Sequence, residues 1–188
     1  METLISIIVG FGLSVACGFR VFVPLLVMSI ATKSGHLTLA PGFEWIGTYP
    51  VLIAFATATA LEISGYYVPW VDNVLDTAAT PVSIVAGIVV MASTVSGISP
   101  FLKWALAVIA GGGTAGVVQI ATSMTRTAST TVTAGLGNFI ISTVEAFVSF
   151  TLSILAVGVP ILGAIAVVAI LSYIARKYFG RLAEGSAP

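Results

Sequence analysis

Arg20 stands in Gly18-Phe19-Arg20-Val21-Phe22-Val23-Pro24, with 17 uncharged residues before it and 12 after. An arginine held in hydrocarbon costs at least about 2.5–3.5 kcal/mol, so it normally faces a partner or water. Gly18 and Pro24 together can break a helix around it. A broken helix that turns back as a re-entrant loop offers free backbone N–H groups beside a guanidinium fork, which suits an anion. The alternative is structural: an arginine that snorkels to the interface or neutralises a buried glutamate.

Arg126 lies in the run Thr122 to Thr133, where eight of twelve residues carry a hydroxyl. Thr125 and Thr127 flank it directly, and hydroxyls around an arginine can replace water around a phosphate or carboxylate. An ordinary exposed loop accounts for the same residues, because Ser and Thr also dominate turns.

Glu62 and Glu145 are carboxylates inside apolar stretches, Ala60-Leu61-Glu62-Ile63 and Thr143-Val144-Glu145-Ala146. Each could serve in ion coupling or balance the charge of Arg20 and Arg126. Asp72 and Asp76 follow Pro69 at i, i+4 spacing, so a helix begun by that proline puts both on one face. With Asn73 they could attract or bind a cation. More often such a pair is a solvated interfacial turn.

Composition excludes much else. The chain has 188 residues, 58% apolar and 7% charged, against about 25% charged in a soluble globule. Seven basic residues meet seven acidic ones without a basic cluster beyond Arg176-Lys177, so no nucleic-acid partner is expected. Cys17 is alone, which excludes a disulfide framework. Gly111-Gly112-Gly113 lacks the Lys-Ser/Thr of a phosphate-binding loop, and His36 has no ligand partners nearby. No cofactor, metal or catalytic constellation is expected.

The elements that must position these groups are apolar helices. Charge-free stretches at 3–19, 45–61, 77–102, 104–125, 127–144 and 146–175 approach or exceed the ~20 residues that cross a bilayer. The expected architecture is an all-α polytopic membrane domain over 1–188 with six spans. A first apolar segment, retained rather than cleaved, is followed by spans near 47–67, 81–98, 101–124 and 137–157. Pro69 and Pro81 bracket a short polar connection, and Gly158-Val159-Pro160 breaks the last apolar run before a sixth span. Gly10 precedes Arg20 by ten residues, as Gly116 precedes Arg126, and Val68-Pro69 is matched by Val159-Pro160. Halves at 3–98 and 101–178 would then form a 3+3 inverted repeat with broken or re-entrant helices. Arg126, Arg176, Lys177 and Arg181 on one side against Lys33 and Lys103 on the other favour cytoplasmic termini.

Two resemblances follow from these residues. Gly18-Phe19-Arg20-Val21-Phe22-Val23-Pro24, Glu62 and Pro69-Trp70-Val71-Asp72-Asn73-Val74-Leu75-Asp76 resemble the bacterial membrane family called domain of unknown function 4126, over roughly 8–178. Gly18-x-Arg20-x-x-x-Pro24 is similar to a segment of the DedA superfamily, whose members have paired re-entrant loops and include undecaprenyl-phosphate flippases. Val21 departs from the threonine common there, and no proline follows four residues after Arg126. The second resemblance implies that Arg20 touches a lipid phosphate, and the first implies a bacterial cytoplasmic membrane.

The expected function is a carrier or flippase for an anionic small molecule or lipid phosphate. Arg20, Arg126, Thr125 and Thr127 would bind it, and Glu62, Glu145, Asp72 and Asp76 would couple ions or balance charge. The alternative is a non-transporting integral subunit of a larger complex. Membrane lipids are the expected partners, and a homo-oligomer is open.

Overall fold

Prolines in the first turn begin several helices, because a missing N–H there breaks no intrahelical bond and φ is already helical. Pro69, Pro100 and Pro160 each open one, and Pro50 sits in the first turn of another. The computed structural model describes residues 2–133 and 135–184, with the side chains of 69, 70, 72, 73, 76 and 178–184 set aside. Among the described residues the chain is helical: α1 (Glu2–Cys17), α2 (Phe22–Lys33), α3 (Tyr49–Gly65), α4 (Pro69–Thr94), α5 (Pro100–Leu106), α6 (Gly113–Thr133), α7 (Asn138–Gly158) and α8 (Pro160–Glu184). A 3-10 turn at Glu44–Gly47 precedes α3, and a π-helical stretch at Ala107–Gly112 joins α5 to α6.

Among the described residues, four stretches are long and apolar enough to cross a membrane: Thr77–Thr94, Pro100–Thr133, Asn138–Gly158 and Pro160–Lys177. α1, α2 and α3 are apolar and shorter. The outer faces of the long and the short helices carry large exposed apolar side chains such as Leu4, Ile53, Ile109, Phe147 and Ile161, as a surface in hydrocarbon should.

Two sequence expectations need correction. The polar connection between Pro69 and Pro81 is helical throughout, with Pro81 inside α4. Pro81 is exposed, and it removes one intrahelical hydrogen bond from α4. The hydroxyl-rich run through Thr133 is also helix, not loop. Its threonines donate to carbonyls one turn back, as Thr127 does to Ser123 and Thr130 to Arg126, both at 3.0 Å, so they need no water.

α1 and α2 form a helical hairpin. Ser14 Oγ donates to the Gly87 carbonyl at 3.0 Å, and Gly10 packs against Met91 and Thr94. On the other limb, Ser93 Oγ contacts Met28 Sδ at 3.4 Å. Gly10 and Met28 therefore lie at the same level of α4, eight residues before Gly18 and eight after Arg20. The turn, residues 18–21, is the far end of the hairpin. Gly18 makes that approach possible, since a Cβ there would come within 2.7 Å of the Ala115 carbonyl.

Glycine also seats the π-helical stretch on α4. A Cβ on Gly87 would lie 2.6 Å from the Gly111 carbonyl, and one on Gly111 would lie 2.5 Å from that of Gly87. Small residues allow this close backbone contact, the main source of packing where water exclusion does not drive helices together. Buried serines add polar links: Ser149 Oγ donates to the Ala16 carbonyl at 3.0 Å.

Candidate functional site

The hairpin turn leaves the first amides of α2 without partners inside their own helix. Val21 has no side chain that can cap them, so the cap comes from α3. Glu62 accepts from the Val21 N–H at 2.7 Å through Oε1 and from the Phe22 N–H at 3.0 Å through Oε2. A carboxylate at a helix N-terminus also meets the positive end of the helix dipole.

One turn after Glu62, α3 ends and Tyr66 follows. The guanidinium carbons of Arg20 and Arg126 lie 3.8 and 3.9 Å from the Tyr66 ring centroid, well within cation–π range. Both arginines also meet Glu145 of α7. Arg126 binds its carboxylate through Nε, at 3.2 Å, and through Nη2. Arg20 Nη2 lies 3.5 Å from Glu145 Oε2 and donates to the Ser142 carbonyl at 2.8 Å.

These groups are inside the protein. Arg20 is 1% exposed, Arg126 2%, Glu145 4% and Glu62 7%. With that burial neither guanidinium snorkels out to solvent. Two cations and two carboxylates balance formally, and a buried ion pair needs such compensation because desolvation is costly. Arg126 and Glu145 stand seven residues from the facing ends of α6 and α7, about 10 Å by helical rise. α7 itself is about 31 Å long, so the cluster lies a third of the way along it.

The family described as Domain of unknown function (DUF4126) matches residues 7–179. The chain belongs to that family. No curated protein and no solved structure matches it.

In this DUF4126 chain the tertiary structure unites four residues that were separate in the sequence: Arg20, Glu62, Arg126 and Glu145. Thr125 lies beside the cluster, but its hydroxyl donates to the Ala121 carbonyl at 2.9 Å. Thr127 is exposed and lines a separate cavity with Thr80, Ser123 and Thr131. The side chains of Asp72 and Asp76 lie outside the described residues, and only their place in the first turns of α4 is established. Arg126 sits within uninterrupted helix whereas Arg20 occupies a break, so the two arginines have different backbone settings. Among the described residues no three His, Cys, Asp or Glu side chains gather as a metal site.

Neither Tyr66 nor the Ser142 carbonyl had been singled out in the sequence as part of the site. A signal existed: Glu62 and Tyr66 are four apart and so share a helix face.

Two apolar clefts reach the DUF4126 cluster from different sides and share no lining residue. One, about 700 Å³, lies between α2, α3 and α4 and ends on Glu62 and Tyr66. The other, about 550 Å³, lies between α6, α7 and α8 and ends on Glu145, with Tyr173 and Lys177 also lining it.

Proposed function

We propose that this DUF4126 chain is a membrane carrier or flippase for an anionic substrate, with Arg20 and Arg126 as the anion-binding pair. One observation carries the reading: guanidiniums from the α1–α2 turn and from α6 converge on a single carboxylate, that of Glu145. A carboxylate or phosphate oxygen on a substrate presents the same acceptors to an arginine fork. In this reading Glu145 holds the anion position before substrate binds and then yields it to substrate. A displaced Glu145 inside the bundle needs a proton or a cation, which couples substrate binding to an ion. Glu62 holds the start of α2 in place throughout. A lipid phosphate is the favoured substrate, on the similarity of Gly18-x-Arg20-x-x-x-Pro24 to the DedA segment.

The α1–α2 hairpin is proposed to enter and leave a bacterial cytoplasmic membrane on one side as a re-entrant element. Its support is the shared level of Gly10 and Met28 on α4. Irregular backbone at that depth is tolerated because it is buried in protein.

The formal balance of two arginines and two glutamates favours a second reading, in which the cluster is a structural brace and the chain is a non-transporting subunit of a larger complex. Proteoliposomes separate the two. Carrier function predicts protein-dependent flux of inorganic phosphate, or translocation of fluorescent phosphatidylglycerol. Arg20→Lys should slow it at least tenfold, because an ammonium cannot reproduce the fork. Wild-type protein that moves neither probe, together with a stoichiometric partner that co-purifies in mild detergent, would establish the brace.

A further inference from the structure

We infer that the cleft between α6, α7 and α8 is a binding site for one anionic phospholipid, its acyl chain lying in the cleft and its phosphate at Lys177. The inference is independent of transport and holds for a carrier or a brace.

The lining is almost wholly apolar: Ile140, Val144 and Val148 come from α7, and Ile170 and Ile174 from α8. The cleft opens among exposed apolar side chains, including Ile140, Val144 and Tyr173. In a bilayer, what fills such a cleft is what the bilayer supplies. From Ala169 to Lys177 the cleft runs about 12 Å along α8, a path an acyl chain can follow.

Charge selects the headgroup. Lys177 lines the cleft, with its Nζ 5.8 Å from the Tyr173 ring centroid. Arg176 is exposed on the same turn. Glu145, at the inner end, is already engaged by both arginines. The cleft between α2, α3 and α4 supplies a contrast, because among the described residues its lining includes no cation. It suits an acyl chain without a headgroup preference.

The test is native mass spectrometry of the full chain after incubation in mixed micelles with equimolar palmitoyl-oleoyl phosphatidylglycerol and phosphatidylcholine. Wild-type protein should retain one phosphatidylglycerol in at least fivefold excess over phosphatidylcholine. Lys177→Glu should abolish that preference. Ala169→Trp, which fills the cleft from its exposed side, should abolish retention of that lipid. Lys103→Glu, on α5, should change neither, and far-UV circular dichroism checks that all variants are folded. Equal retention of the two lipids by wild type would overturn the inference, as would phosphatidylglycerol that survives both Lys177→Glu and Ala169→Trp. A lipid-free dimer that Ala169→Trp dissociates would also overturn it, by showing that a second copy covers the cleft.

Discussion

The Glu62 carboxylate accepts the Val21 amide at 2.7 Å, so the end of α3 caps a helix that begins two residues after the buried Arg20. The hairpin turn is thus held by an element distant in sequence, through backbone rather than through the arginine itself.

Removal of that cap should destabilise the fold in steps. Hydrogen bonds to a charged acceptor contribute about 1.5–3 kcal/mol, and Glu62→Ala loses two of them. Glu62→Gln retains one carbonyl oxygen and should lose about half as much. Unfolding in detergent followed by circular dichroism should rank wild type above Gln and Gln above Ala. Identical midpoints for all three would show that the cap contributes nothing.

Glu145 should matter more. Loss of one partner from a buried ion pair costs about 3–5 kcal/mol because the other charge stays uncompensated. Glu145→Ala leaves two arginines in that position, so it should unfold well below wild type. The double variant Arg126→Met, Glu145→Met removes a balanced pair and should be more stable than Glu145→Ala alone. The same denaturation series checks the order.

Tyr66 separates ring electrostatics from apolar filling. Cation–π contacts contribute about 0.5–2 kcal/mol each when desolvated. Tyr66→Phe keeps the ring over both guanidiniums, whereas Tyr66→Leu does not. Leu should therefore be less stable than Phe by about 1–2 kcal/mol, read from the same midpoints.

Glycine substitutions test the close approach of α4 to the π-helical stretch. Gly87→Ala places a methyl 2.6 Å from the Gly111 carbonyl, and such overpacking costs about 1–3 kcal/mol. Gly113 has nothing within 4 Å of its added Cβ. Gly113→Ala should be neutral or stabilising by up to about 1 kcal/mol through helix propensity.

Membrane sidedness is open to direct measurement. Native Cys17 is buried and should stay silent to an impermeant maleimide. In sealed vesicles, cysteines introduced at Glu2 and Ser34 should label from the same side, and one at Leu136 from the other. Glu2 and Ser34 on opposite sides would mean that α1 and α2 together cross the membrane.

Much of the architecture was legible without coordinates. The 7% charge and the long apolar runs specify apolar helices, because backbone polar groups in hydrocarbon must be satisfied within the segment. Gly158-Val159-Pro160 separates α7 from α8 where expected, since proline cannot extend the preceding helix but readily starts the next. Arg20, Glu62, Arg126 and Glu145 stood out as well, because an ionised group in an apolar run demands a partner. Local chemistry misled at Pro81 and at Thr122–Thr133. Residues that usually mark turns there stay helical, one exposed and the others bonded to their own backbone.

Which charge meets which was decided only in three dimensions. Spacing along the chain cannot say that Glu145 serves both arginines while Glu62 serves the amides of Val21 and Phe22. Those pairings depend on a hairpin whose first limb packs on α4 and whose second packs on α3 and α7, and on glycines at 18 and 87 that let backbones approach. Sequence determined that four buried charges must be neutralised; the packing of the helices determined how, because electrostatic pairing inside a protein depends on distances of a few ångströms that only tertiary contacts set.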